Sequence, residues 1–314
     1  MQYALYVLRR LLTLIPVLVG ITFIVFLLLK LIPGDPAVTL LGVHATPKAV
    51  AELHQQMGLD KPLYQQYLTF LGHLLQGNLG QSYQYRGVSV SSLVFSNLAP
   101  TVWLIVVGTV FAVAITVPLA MISANRPGSV TDGAVRAIPL AGIGLPSFWV
   151  GIMLILLLGL KVKVLPVSGF GTSFGGHVQH IILPALTIAL AQLPILIRSL
   201  RASMLEVLGS DYIVTAKAKG LSRSRVMFGH ALRNAGVASI TVLGVNLAYL
   251  VGSTVAVEKV FALNGVGFQM YNAILGRDLP VVQAITLIFA VFVVTVNLLT
   301  DLAHAALDPR VRLG

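Results

Sequence analysis

The chain has 314 residues, of which 57% are hydrophobic and only 10% charged, against about 25% charged in soluble domains. That deficit argues against a soluble enzyme. The absence of cysteine excludes a disulfide framework and a thiolate metal site. The net charge of +11 is either a nucleic-acid surface or a topology signal, depending on where it lies.

Six uncharged apolar runs approach or exceed the ~20 residues needed to cross a bilayer: 11–29, 100–123, 137–160, 181–197, 237–257 and 281–300. None alternates as a lipid-facing strand would, which excludes an outer-membrane barrel. The expected fold is an all-α integral membrane protein with six transmembrane helices, a single domain spanning 1–314. The first run is read as a mature span. It is long, and no A-x-A-type cleavage site follows; a rigid turn, Pro33-Gly34-Asp35-Pro36, ends it.

The loop 30–99 predicts amphipathic helices. Thr46-Pro47 reads as N-cap and first-turn proline, with Gly58 as the stop. A second helix is expected after Asp60 as cap and Pro62, with Leu63, Tyr64, Tyr67, Leu68, Leu71, Leu74 and Leu75 as its apolar stripe and Gly77 at its end. Such helices lie on the outer membrane face or pack over the span mouths.

In the third run Pro139 and Pro146, and in the fourth Pro184 and Pro194, predict kinks. His177 and His180 have i,i+3 spacing, which suits a metal pair, but His180 reads better as part of a structural string. No metal site is assigned.

The loop 198–236 carries seven basic residues. Ser210 or Asp211 can cap a short helix over 211–219, and Gly220 fits its left-handed C′ position. Lys217 and Lys219 in the last turn suit the helix dipole. Such a helix, about 13 Å long, is too short and too polar to span, and makes a rigid knob between two spans. The alternative is an ordinary basic loop that attracts anionic lipid.

The fifth run has small residues at spacing four, Gly244, Ala248, Gly252 and Ala256, with Asn246, Ser253 and Thr254 adding polarity. The stripe serves close helix packing or lines a translocation path, for which Asn246, Gly252, Ser253 and Thr254 are the candidates. Asp35 in the first outer loop and Glu258, Asn264, Arg277 and Asp278 in the last are candidates for a gate or for contact with a solute-delivering protein. The stretch 265–276 predicts a short helix. Asp301 closes the sixth run as an interfacial or capping carboxylate.

Orientation follows from the basic residues. Segments 1–10, 124–136, 198–236 and 301–314 hold 13 in 76 residues, and the opposite set holds 8 in 113. The first set, with both termini, is therefore expected in the cytoplasm. The positive balance becomes a topology signal, and no nucleic-acid partner is expected.

No G-x-x-x-x-G-K-[ST] string occurs, so the chain lacks a phosphate-cradling loop. No Asp, Glu, Lys or Arg lies within the six runs. Ion-coupled carriers normally need such groups, which counts against a secondary transporter. A channel is the third reading, and no selectivity string supports it.

Several strings in order resemble one family. They are Arg201-Ala202-Ser203-Met204-Leu205-Glu206-Val207-Leu208, Asp211-Tyr212, Thr215-Ala216-Lys217-Ala218-Lys219-Gly220-Leu221 and His230-Ala231-Leu232-Arg233-Asn234-Ala235. Supporting strings are Gly58-Leu59-Asp60-Lys61-Pro62, Gly77-Asn78-Leu79-Gly80, His180-Ile181-Ile182-Leu183-Pro184-Ala185, Glu258-Lys259-Val260-Phe261, Gly265-Val266-Gly267 and Leu307-Asp308-Pro309-Arg310. The chain resembles the permease of dipeptide, oligopeptide and nickel ABC importers, the first of the two paired permeases.

The resemblance implies the type I importer fold and a bacterial inner-membrane location. It implies a second homologous permease, two cytoplasmic ATPase subunits and an external solute-binding protein as partners. ATP and Mg would sit on the ATPases, and this chain would bind no cofactor and catalyse nothing. Di- or oligopeptides are the expected solute, with glutathione or a nickel chelate as the alternative. The loop 198–236 would hold the coupling helix that docks on the ATPase through Asp211, Tyr212, Thr215, Ala216, Lys217, Lys219 and Gly220, with Arg223 and Arg225. In the general importer pattern E-A-A-x-x-x-G the leading Glu is here Val214. Lys217, Lys219, Arg223 and Arg225 would then supply the charge contacts.

Overall fold

Five of the six uncharged runs fold within long helices. The computed structural model describes residues 2–31, 34–85, 87–142 and 144–307. Pro33 and the tail string from Asp308 lie outside them.

Helix α1 (Gln2–Leu31) takes the first run, followed by the short helices α2 (Pro36–Leu41), α3 (Pro47–Met57), α4 (Leu63–Leu75) and α5 (Val90–Ser96). Helix α6 (Leu98–Asn125) takes the second run. Then come α7 (Val130–Gly142) and α8 (Ser147–Leu154), the latter continued by π-helical turns over Ile155–Lys161. Helix α9 (Phe174–Leu208) precedes α10 (Asp211–Ala218) and the single turn α11 (Arg223–Arg225). Further π-helical turns, Val226–Leu232, lead into α12 (Arg233–Val260), and α13 (Val266–Leu275) and α14 (Leu279–Leu307) are the last described elements.

Helix α9 is the central element. In its most apolar window 67% of residues are buried, against 28% to 33% in the helices built on α6, α12 and α14. It packs on α6, α7, α8 and α12, and Ile181, Leu183 and Ile188 meet Leu104, Leu250 and Phe261 in the core. Lipid is as apolar as leucine, so close fit rather than water exclusion holds such helices together. Gly108 of α6 shows the fit, since a Cβ there would lie 2.9 Å from Ile188 Cγ2. The outward valines of α6 (Val102, Val106, Val110) are exposed, as a lipid-facing surface requires.

Two expectations change. The run 137–160 is not one kinked helix: α7 ends at Gly142, Gly144 has φ +99°, and Pro146 takes the N-cap position of α8. Proline disfavours the helical conformation in the residue before it, and Gly144 supplies the turn. Pro184 and Pro194 lie inside the continuous helix α9 of 35 residues, about 52 Å long and so longer than the hydrocarbon layer. Asp301 does not close a helix either, because α14 continues to Leu307.

In the outer loop Thr46 caps α3 by accepting from Ala49 N, and Gly58 at φ +64° ends the helix. Asp60 is not a cap; Pro62 occupies that position before α4. The stripe of α4 divides. Tyr67 and Phe70 pack on Phe26 of α1, the Tyr67 hydroxyl donating to the Val19 carbonyl at 3.0 Å. Leu63, Tyr64, Leu68 and Leu75 stay exposed.

Candidate functional site: the coupling face and its anchors

Helix α10 is built as a knob. Ser210 starts it with extended backbone, although its hydroxyl donates back to the Val207 carbonyl rather than capping. The far end is a Schellman motif: Gly220 N–H donates to Lys217 O at 2.9 Å and Leu221 N–H to Ala216 O at 3.3 Å. Gly220 has φ +79°, which a side chain resists.

Ile213 and Ala216 are buried and anchor the knob, while Asn234 of α12 donates to the Tyr212 hydroxyl at 3.1 Å. Asp211, Thr215, Lys217, Lys219 and Gly220 are exposed, as are Tyr212 at 46% and Val214 at 61%. Of the predicted docking set, Ala216 alone faces inward. Arg223 is exposed but partly engaged: its Nε donates to Asn125 Oδ1 at 2.6 Å and its Nη2 to the Asn125 carbonyl. Arg225 is exposed beside it. Val214, the departure from the importer pattern, therefore presents an apolar surface where the pattern has a carboxylate.

Beside the knob lies an anchor that sequence reading missed. Asp132 at the start of α7 is 1% exposed, although it sits near the rim of the bundle. Its carboxylate accepts from Arg201 of α9 in a two-pronged pair, Nε at 2.8 Å and Nη2 at 2.9 Å, and from Ser123 Oγ at 2.5 Å and Gly128 N–H at 2.9 Å. The Arg201 guanidinium first, then the Ser123 hydroxyl, hold this carboxyl well below the usual carboxylate range. The α6–α7 turn is thereby clamped to the same end of α9 that carries α10.

The opposite end is held by two further buried carboxylates, both predicted as surface contacts. Glu258 at the end of α12 is 0% exposed. It accepts from Thr101 Oγ1 at 2.6 Å and from Phe268 N–H at 2.8 Å, while Thr101 accepts from Val266 N–H at 2.9 Å. It thus satisfies the first N–H groups of α13, which Gly265 cannot cap. Asp278 is 1% exposed and accepts from the Ser82 hydroxyl and from the N–H groups of Tyr83 and Gln84. It pins the loop before α5 to the start of α14. Burial, and then the Asp278 charge, push the Tyr83 phenol up to about 12. Both carboxylates are positioning groups, because neither reaches the surface.

Asp35, one-third exposed, caps α2 and holds His54 of α3 at 2.8 Å. That bond lowers its carboxyl below the ordinary value. Asn264 and Arg277 are exposed, and the Arg277 guanidinium lies against Gly34. Lys259, unpredicted, stacks over Tyr271 at 4.4 Å.

A Cβ at Gly267 would sit 2.9 Å from the Val255 Cα and 3.0 Å from the Glu258 carboxylate. Backbone cannot yield as a side chain does. Gly267→Ala is therefore expected to cost about 1–3 kcal/mol, read as a lower melting temperature of the detergent-solubilised protein. An unchanged melting curve would show that α12 and α13 are not locked here.

The fifth-span candidates separate. Asn246 and Thr254 are buried, and their side chains bond to Val242 O and Val251 O of their own helix. Half-buried Ser253 does the same with Leu250 O. Gly244 packs tightly against Thr300 of α14, whereas Gly252 is exposed with open space beyond it. Tyr249, one turn before, is 78% exposed and was not predicted. His177 stacks on Phe170 and bonds to its carbonyl, and His180 bonds to Gly176 O. Among the described residues no cluster suited to a metal appears.

These features define a class: an integral membrane protein whose loop presents a rigid helix at one end of the bundle. A family model described as the inner membrane component of binding-protein-dependent transport systems matches residues 116–313, and the N-terminal model of such components matches 3–118. The oligopeptide transport system permease protein AppB of Bacillus subtilis is 38% identical over 313 residues, covering 98% of this chain and 99% of that one. The dipeptide transport system permease protein DppB of Escherichia coli K12 is 36% identical over 334 residues, covering 98% of each. A solved structure of the inward-facing MetNI methionine ABC transporter superposes with a TM-score of 0.57 at 18% identity, covering 69% of this chain and 96% of the other; it shows the fold. The chain belongs to the family of binding-protein-dependent transport system inner membrane components. It is a translocation subunit of the ABC importer type, working with separate ATPase and binding-protein components, and is itself non-catalytic.

Proposed function

We propose that this permease imports di- or oligopeptides, delivered by an external binding protein, through a path formed with a second, homologous permease. The solute class rests on the peptide-transport names of relatives at 36–38% identity along the whole chain. The end bearing α10 and both termini face the cytoplasm, a reading supported by the basic residues of 198–236 and the other inner segments. There α10 docks on one of two ATPase subunits, which bind ATP and Mg. Closure of the ATPases on ATP pushes α10, and the Schellman cap, buried Ile213 and the Tyr212–Asn234 bond pass that push to α12 as one body. Gly252, Ser253 and Tyr249 on the open face of α12 line the path.

The observation that carries this reading is the rigid, capped helix between α9 and α12, with an apolar and cationic outer face. The test is co-purification with the products of neighbouring genes, then uptake of labelled di- and tripeptides into proteoliposomes loaded with ATP. Uptake that needs the binding protein and ATP is expected. Uptake driven by a proton gradient after ATP depletion would overturn it.

A further inference from the structure

Below α10 the bundle carries a second surface feature. A groove of about 330 Å³ opens on the outside of the helices, walled by Met121 and Ile122 of α6 and by Met227 and Phe228 of the π-helical turns before α12. Ile122 is 51% exposed and Phe228 64%. The rim is polar: Arg223 and Ser224 close it at the α11 end. Ile122 lies within the uncharged run 100–123 and three residues from Asn125, about 5 Å along the axis. The wall is therefore at hydrocarbon depth and the rim at headgroup depth.

Arg223 presents more donors than Asn125 uses. Its Nε and one Nη2 hydrogen serve Asn125, leaving three of its five N–H groups at the mouth of the groove. Arg225, two residues on, is exposed but lines neither space, whereas Lys217 lines the adjoining cavity, which shares Asn125, Arg223 and Met227. Among the described residues no carboxylate lines either space. A soluble ATPase has no access to the apolar wall, and a free anion makes no use of it. A molecule with an anionic head and an acyl chain fits both halves.

We infer that an anionic phospholipid of the inner leaflet binds here, its acyl chain between Ile122 and Phe228 and its phosphate on Arg223 and the Ser224 hydroxyl. The bound lipid fills the joint between α6 and the start of α12, immediately under the knob. The leaflet assignment rests on the orientation proposed above.

The test uses the assembled transporter in nanodiscs of phosphatidylcholine with phosphatidylglycerol at equal fractions, and native mass spectrometry of the lipids retained on this chain. Preferential retention of phosphatidylglycerol is expected, reduced about fivefold by Arg223→Gln, in line with about 1 kcal/mol for each cation near a membrane surface. Arg223→Lys should keep it. Ile122→Trp, which fills the groove but leaves the cation, should lose it without disturbing the Arg223–Asn125 tie. Equal retention of both lipids, no retained lipid because the second permease covers the groove, or wild-type retention by Ile122→Trp would each overturn the inference. Lipid retention is read independently of transport. Failure of uptake with retention intact would count against the coupling proposal alone.

Discussion

Val214→Asp combined with Lys217→Glu is expected to reduce ATP-driven uptake by about 30-fold or more and to strip the ATPase subunits from the purified complex. Val214 is 61% exposed and Tyr212, on the same helix, 46%. On the helix proposed to dock, side chains so open are placed to meet the ATPase. A few such residues carry most of an interface's energy, at 2 kcal/mol or more each, and 1.4 kcal/mol is a factor of ten in affinity. The aspartate would put an unpaired charge where the interface dries, and the glutamate would reverse a cation at its edge. Neither residue is buried, so the melting temperature of the isolated permease should hardly move, as for surface substitutions generally. Unchanged ATPase stoichiometry and uptake would place the docking surface elsewhere. Ile213→Ala is the contrasting change. It empties a fully buried site, loosens the knob from the bundle, and should lower stability by about 2–5 kcal/mol as well as coupling.

The knob was legible in the sequence because its signals are local: a serine at the start, a glycine at C′, cations in the last turn. The spans on α6, α9, α12 and α14 were legible because charge is absent over whole bilayer widths. The anchors were not legible. Asp132 and Arg201 are 69 residues apart, Asp278 and Ser82 196, and Glu258 and Thr101 157. A lone carboxylate next to a loop reads as solvated, and only the fold reveals that its partners have been brought to it. From sequence alone Glu258 and Asp278 therefore read as surface contacts, though the glycines flanking α13 hint at crowding there. The interruption of the third run was written in Gly144 and Pro146, but apolar composition on both sides disguised it as a kink. Tyr249 escaped because an aromatic within an apolar run carries no sequence mark of facing open space.

Arg201→Ala is expected to destabilise the end of the bundle that bears α10 by about 2–3 kcal/mol. Breaking a buried pair leaves an uncompensated charge and costs about 3–5 kcal/mol. The nearness of Asp132 to the rim, and 19% exposure of the Arg201 side chain, bring that down. Asp132→Asn should cost less, since the amide oxygen still accepts from Arg201 and no bare carboxylate remains. Combining the two changes should cost less than their sum, and that shortfall reports the coupling between the two positions. Arg136 will not substitute, because its Nε lies 3.5 Å away on a 57% exposed side chain, where ion pairs contribute little. The pH dependence follows from the sign of the shift. A carboxyl held below its unfolded value of about 3.9 contributes its full stability above that value and loses it as pH falls through the folded one. The melting temperature of the wild type should be flat, as far as this group is concerned, from pH 8 to 5 and fall below about pH 4. Asp132→Asn should start lower and lack that part of the acid limb. Because the pair ties the α6–α7 turn to the end of α9 that bears α10, its loss should also let ATP be hydrolysed without proportionate uptake. A variant with normal melting and a normal ratio of solute moved to ATP consumed would show that the clamp carries no part of the stroke.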